Sequence, residues 1–208
     1  MKKQRFYLIG ILFMLAVNTG FGQNNANELI KKAVKSIRNP KNAEMTFSYT
    51  VQSDNTKNAP KQKGKAYLQG DAYKLVMDEQ ETICDGKTIW TYLVEDEEVM
   101  VSNASDGSDN TPLKIITSLD KDYSAKIKGT DDKGFCTIEL NAADGMYKNV
   151  IATIDSKKNQ LKHLKINTDD GNTIIIDIDE WKFNQDWKED FFSFDAKAHP
   201  SVEVIDMR

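Results

Sequence analysis

The stretch Glu81-Thr82-Ile83-Cys84-Asp85-Gly86-Lys87-Thr88-Ile89-Trp90-Thr91-Tyr92-Leu93 decides the fold class. Two runs rich in β-branched and aromatic residues flank Asp85-Gly86, and that dipeptide between such runs is a strong hairpin signal. Upstream, Tyr73, Leu75 and Met77 recur at every second position, Gly70-Asp71 offers a turn, and residues 64–69 form the preceding strand. Earlier still, past a polar loop over 53–63 that carries Pro60, Met45, Phe47, Tyr49 and Val51 alternate with Thr46, Ser48, Thr50 and Gln52. A period of two with one apolar side describes a half-buried strand. Downstream, residues 95–98 make an acidic turn and 99–102 complete a meander.

Farther out the pattern brings two helices and more strands. Leu29, Ile30, Ala33, Val34 and Ile37 recur at helical spacing, with Lys31, Lys32 and Lys35 on the other side. Asn27 is the expected N-cap, Glu28 suits the first turn, and Asn39-Pro40 ends the helix. Thr111 and Pro112 open a short apolar helix with Leu113, Ile115, Ile116 and Leu119. Strands are then expected at 124–129, 135–140, 149–155, 161–167 and 173–179, with turn chemistry between them, and a last short strand near 200–205. Residues 191–194 (Phe-Phe-Ser-Phe) are dense in aromatics. The β-α-β alternation of a parallel sheet is missing, so the class is α+β with a mostly antiparallel sheet.

The N-terminus reads as an address. Met1-Lys2-Lys3-Gln4-Arg5 is positive, residues 6–17 are apolar, and Gly20-Phe21-Gly22 places small residues where a signal peptidase cuts. The apolar run is about 12 residues, short of the ~18 that span a bilayer. Residues 1–22 are therefore expected to be a signal peptide cleaved near Gly22, leaving 23–208 as one domain in the periplasm. Loss of Lys2, Lys3 and Arg5 would take the formal net charge from −4 to about −7. An acidic chain is a poor partner for nucleic acid or for a polybasic role at a membrane surface. Cys84 and Cys136 each sit in an apolar strand and read as buried free thiols rather than a disulfide.

Catalytic signals are missing. His163 and His199 have no metal-ligand spacing, and neither a nucleophile elbow nor a phosphate-cradling loop is present. Asp177, Asp179 and Glu180, like residues 95–98, read as solvated carboxylates rather than a paired-acid site. No enzyme activity, cofactor or metal is expected. The long apolar side chains assigned to the inward face (Met45, Phe47, Tyr49, Tyr67, Tyr73, Leu75, Met77, Trp90 and Tyr92) either fill a core or line a cavity, since a curved sheet can enclose a ligand.

At this point the order of elements becomes recognisable. Gly64-Lys65-Ala66-Tyr67-Leu68, Tyr73-Lys74-Leu75-Val76-Met77, Asp85-Gly86-Lys87-Thr88-Ile89-Trp90-Thr91-Tyr92, Pro112-Leu113 and Asp190-Phe191-Phe192-Ser193-Phe194 followed by Val202-Glu203-Val204-Ile205 resemble the outer-membrane lipoprotein carrier family (LolA-type). The resemblance covers nearly all of 26–206. It implies an incomplete (half) β-barrel with a helical lid over an apolar cavity. It implies a monomeric periplasmic carrier that takes acylated lipoproteins or lipids from an inner-membrane lipoprotein-releasing transporter to an outer-membrane acceptor. By position the acyl-chain role falls on Met45, Tyr49, Tyr73, Leu75, Met77 and Trp90, and the lid on Leu113 and Ile116. Leu75→Glu is expected to abolish ligand retention while the fold survives. Many members carry Arg-Pro after the second strand, the Arg helping to hold the lid; this chain has Gln69-Gly70 there, so either another contact closes the lid or the ligand differs. The other readings are a lipid- or lipoprotein-sensing module of the same fold and, more remotely, an envelope hydrolase using Asp177, Asp179 or Glu180.

Overall fold

The computed structural model describes residues 19–53, 56, 59–106, 111–121, 123–142, 147 and 149–208, and at 19–24, 112 and 142 the backbone alone. Most of the expected leader lies outside the described residues.

Helix α1 (Thr19–Arg38) precedes a meander of six strands, β1 (Ala43–Gln52), β2 (Gln62–Gln69), β3 (Ala72–Met77), β4 (Gln80–Cys84), β5 (Thr88–Leu93) and β6 (Glu98–Asn103). Helix α2 (Pro112–Ser118) follows, then β7 (Tyr123–Thr130), β8 (Phe135–Ala142), β9 (Asn149–Asp155), β10 (Gln160–Asn167), β11 (Thr173–Phe183) and β12 (Glu203–Asp206). The strands form one sheet in the order β12-β6-β5-β4-β3-β2-β1-β11-β10-β9-β8-β7. Every pairing is antiparallel except β12 with β6. The return of β11 beside β1 joins the two meanders, and β12 and β7 remain as separate edges. The sheet is open and mostly antiparallel, the class that the residue pattern predicts. So many twisted strands seldom stay flat.

Local chemistry places the ends. Asp85 Oδ1 accepts from the backbone N–H of Lys87 at 2.8 Å and of Thr88 at 2.7 Å. Gly86 next to it has φ +94°, a left-handed conformation that suits glycine. The last turn of α1 closes with Asn39 N–H donating to the Lys35 carbonyl at 2.9 Å. Thr111 caps α2, its side chain accepting from the Lys114 N–H, with proline in the first turn. One expectation is corrected. Asn27 is not an N-cap, because α1 already runs from Thr19, and a residue eight positions into a helix has no free N–H groups to cap.

Both helices pack on one face of the sheet. Ile30, Ala33, Val34 and Ile37 of α1, with Leu113, Ile115 and Ile116 of α2, join one core with residues of β1–β3 and β7–β11. Each buried Ile, Leu or Val contributes up to about 1.5–3 kcal/mol. Phe47, fully buried, lies so close to β2 that only glycine fits opposite it: a Cβ on Gly64 would stand 2.5 Å from the ring's Cζ.

The opposite face is apolar too over β2–β6, and the chain after β11 covers it. Tyr67 meets Trp187 edge-on at 5.6 Å and Phe191 at 5.1 Å, and Trp187 stacks on Phe191 at 4.9 Å. Tyr92 meets Phe194 at 5.7 Å and His199 at 4.8 Å. Asn42, buried before β1, anchors the start of this strap. Its Oδ1 accepts from the Gln185 N–H and its Nδ2 donates to the Gln185 carbonyl, both at 2.8 Å. Cys84 and Cys136 are both buried, as read from their strands.

Gly64→Ala tests the β1–β2 packing. Overpacking a filled core costs roughly 1–3 kcal/mol, so urea unfolding should show a midpoint lowered accordingly. An unchanged midpoint would mean that Phe47 is free to move.

Candidate functional site

Among the described residues the inner face is mostly a packed core, and two spaces open toward its ends. The larger space is a cavity of ≈ 490 Å³ where the end of α1, the start of α2 and the β2–β3 turn converge. Ile37, Leu68, Tyr73 and Leu113 supply its apolar wall, and Arg38, Lys41 and Lys114 reach it from the helical side. Asp71 of the β2–β3 turn also lines it. The smaller space, ≈ 210 Å³, lies toward the other ends of β1 and β3, between Tyr49, Met77 and Leu93 and the acidic residues Glu79, Glu95 and Asp96. Tyr49 is hydrogen-bonded to Gln62 there. Burial, with Glu79 and Asp78 nearby, raises its phenol above the ordinary tyrosine range.

The structure divides the nine residues expected to share one inward face. Met45, Phe47 and Leu75 are buried in the core beneath the helices, and Tyr49, Tyr73 and Met77 pack against it half-buried. Of these six, Tyr73 reaches the large cavity, and Tyr49 and Met77 the small one. Tyr67, Trp90 and Tyr92 lie on the outer face. Register shows why: Glu44, Tyr67, Lys74, Ile83, Trp90 and Val101 are successive cross-strand partners, and Glu44 neighbours Met45, so its row points away from the helices. Tyr92 follows the same alternation through Glu81 and Val76. Leu113 and Ile116 are both buried on α2, and Leu113 alone of the two reaches the large cavity. Leu75 is 2% exposed, so a glutamate there would bury a charge and disturb folding along with binding. Leu68, half-buried in the cavity wall, separates the two effects.

Arg38 is a residue that sequence reasoning passed over. Its guanidinium donates to the Thr117 carbonyl at the end of α2, and to Asp120 Oδ2 at 3.2 Å. The last carbonyls of a helix lack internal partners and carry partial negative charge, so a cation there completes the turn. Arg38 thus ties α1 to the C-terminal end of α2. The Asp120 Oδ1 is buried with no hydrogen-bond partner among the described residues. Gln69, at the position where the family resemblance implies an arginine, accepts a long bond of 3.4 Å from Asn42 Nδ2. The only sequence signal for Arg38 was a cation in a helix's last turn, a common feature with no stated target.

Of the carboxylates at 177–180, Asp177 is engaged by two basic groups, Lys61 Nζ at 2.8 Å and His163 Nδ1 at 2.7 Å. Burial pushes its carboxyl up, but those two hydrogen bonds and charges outweigh it and hold the carboxyl below the ordinary range. Asp179 and Glu180 are exposed, next to a β-bulge where the β1–β11 register shifts between Thr46 and Phe47. Among the described residues no three His, Cys, Asp or Glu gather as a metal site, and no helix is long and apolar enough to cross a membrane.

Comparison with known proteins agrees with this architecture. An uncharacterized conserved protein from Thermus thermophilus superposes with a TM-score of 0.58 at 10% identity, over 88% of this chain and 99% of that one. MucB superposes with a TM-score of 0.50 at 12% identity, over 84% of this chain and 64% of MucB. A LolA superfamily protein of Nitrosomonas europaea gives 0.44 at 13% identity, over 82% of this chain and 98% of the other. At such identities the first two likenesses speak for the fold alone. A search of curated proteins finds no sequence match. The family model described as outer membrane lipoprotein carrier protein LolA matches residues 38–195, which span β1 to β11, α2 and most of the aromatic strap, and the chain therefore belongs to the LolA family.

Proposed function

We propose that this protein carries the acyl chains of lipoproteins or lipids through the periplasm, after removal of residues 1–22, from an inner-membrane transporter to an outer-membrane acceptor. The observation that carries this reading is the ≈ 490 Å³ cavity between the helices and the β2–β3 turn, whose apolar wall runs into the main core through Ile37 and Leu113. Its volume lies within the roughly 300–1,000 Å³ usual for small-molecule sites. The family match over residues 38–195 supports the same reading.

The mechanism follows from competition for one surface. Each methylene buried stabilises a bound chain by about 0.8 kcal/mol. The residues that would bury it deeper, Met45, Phe47 and Leu75, are already covered in this structure. A chain longer than the cavity must displace helical side chains, and binding then reflects only the difference between the two coverings. Held this way, cargo is released when the helices return. Arg38 sets the cost of moving α2, because displacement breaks its bonds to Thr117 and Asp120. A sensing or partner-binding module is the second reading. Its support is the edge strand β12, which exposes Val204 and Ile205, with Met207 beside it.

Native mass spectrometry with lipid extraction, on protein purified from the periplasm, tests the carrier reading. A co-purifying lipid or acylated peptide is expected, and Leu68→Glu should lose it while keeping the wild-type circular dichroism spectrum. An apo mass that also refuses added lipopeptide would overturn the reading, and a stable protein partner in a pull-down would then favour the sensor.

Arg38→Leu probes release. A part-exposed pair contributes about 0.2–1 kcal/mol to stability, so the melting temperature should move little. Release of a fluorescent fatty acid, followed by stopped flow, should accelerate several-fold. Identical release rates would show that Arg38 does not hold α2 over the cavity.

A further inference from the structure

Cationic residues gather at the cavity. The protein has a formal net charge of −4, yet Arg38, Lys41 and Lys114 all line this one space, against a single carboxylate from Asp71. The three cations are not equivalent. Arg38 is committed to α2. Lys41 pairs with Asp186, at 3.3 Å, and both partners are largely in water (62% and 99% exposed), so little energy holds that pair together. Lys114 is exposed and has no ion-pair partner among the described residues. Lys41 and Lys114 both line the cavity together with Leu68, Tyr73 and Leu113, and they are the two of its cations least held by other groups.

We infer that the cavity takes an anionic single-chain amphiphile, its acyl chain against the apolar wall and its phosphate headgroup against Lys41 and Lys114. The inference rests on the carrier reading and narrows its cargo. A lysine ammonium is a point charge that suits a phosphate without fixed geometry. The volume suits one chain rather than several. A neutral amphiphile of equal chain length would gain the apolar contact and forgo the two charge contacts.

The test is binding of three probes to the mature protein by isothermal titration calorimetry, below micelle-forming concentrations: a lysophosphatidic acid, the monoacylglycerol of the same chain, and glycerol phosphate. The lysophosphatidic acid should bind about tenfold more tightly than the monoacylglycerol, the sum of two modest charge contacts. That preference should shrink as salt rises and vanish in the double variant Lys41→Glu/Lys114→Glu. Lys41→Gln/Lys114→Gln, which adds no repulsion, should reduce it to a few-fold or less. Equal affinity of the two chain-bearing probes would overturn the headgroup assignment and leave the carrier reading standing. Failure of both to bind would overturn the inference, and the carrier reading would fall with it only if added lipopeptide is refused as well. Glycerol phosphate competing as well as the lysophosphatidic acid would overturn the inference by showing a site for free phosphate.

Discussion

An open sheet with apolar residues on both faces must be covered twice, and this constraint shapes the whole molecule. A closed barrel would bury its inner face against itself. Here β7 and β12 stay apart, so Met45, Phe47 and Leu75 need the stripe of α1 and the short α2 above them. On the other face Tyr67 and Tyr92 need the strap that carries Trp187, Phe191 and Phe194. The second covering also fixes the path of the chain after β11. Asn42 turns the backbone at Gln185, and β12 then reaches the β6 edge as the sheet's one parallel partner.

The constraint explains what could be read from the residues alone. Strand existence was legible because alternation and turn chemistry coincide: β9 begins and ends where the pattern placed it, and β1 to β8 differ by a few residues at most. The face of a residue was not legible in β5, where Ile89, Trp90, Thr91 and Tyr92 give apolar side chains to both sides. Parity there is set by register with β4, and with apolar residues on both sides the hydrophobic pattern no longer specifies which side faces the helices. Trp90 and Tyr92 were therefore assigned to the wrong side, and Tyr67 with them. In β1 only one side is apolar, and Met45, Phe47 and Tyr49 fell on the side of the helices.

Arg38 shows a different limit of sequence reasoning. The family resemblance implies an arginine at the end of β2, where this chain has Gln69-Gly70. A guanidinium on α1 instead reaches α2. The physical need, a donor for the C-terminal carbonyls of a short helix, can be met from any neighbouring element. Position in the chain is a poor guide to it, and only spatial proximity reveals the pair. The cavity was hidden for the same reason, since its wall draws on α1, α2, β2 and β3 together.

On the carrier reading, helices and cargo compete for the inner face, and stability of the empty protein opposes loading. Hydrogen exchange read by mass spectrometry, with and without a long-chain lipopeptide, tests that competition most directly. Amides of α2 and of the C-terminal half of α1 should lose protection when cargo binds, while β9 and β10 keep theirs. Bound cargo that leaves both helices as protected as before would contradict the displacement on which the proposed function depends.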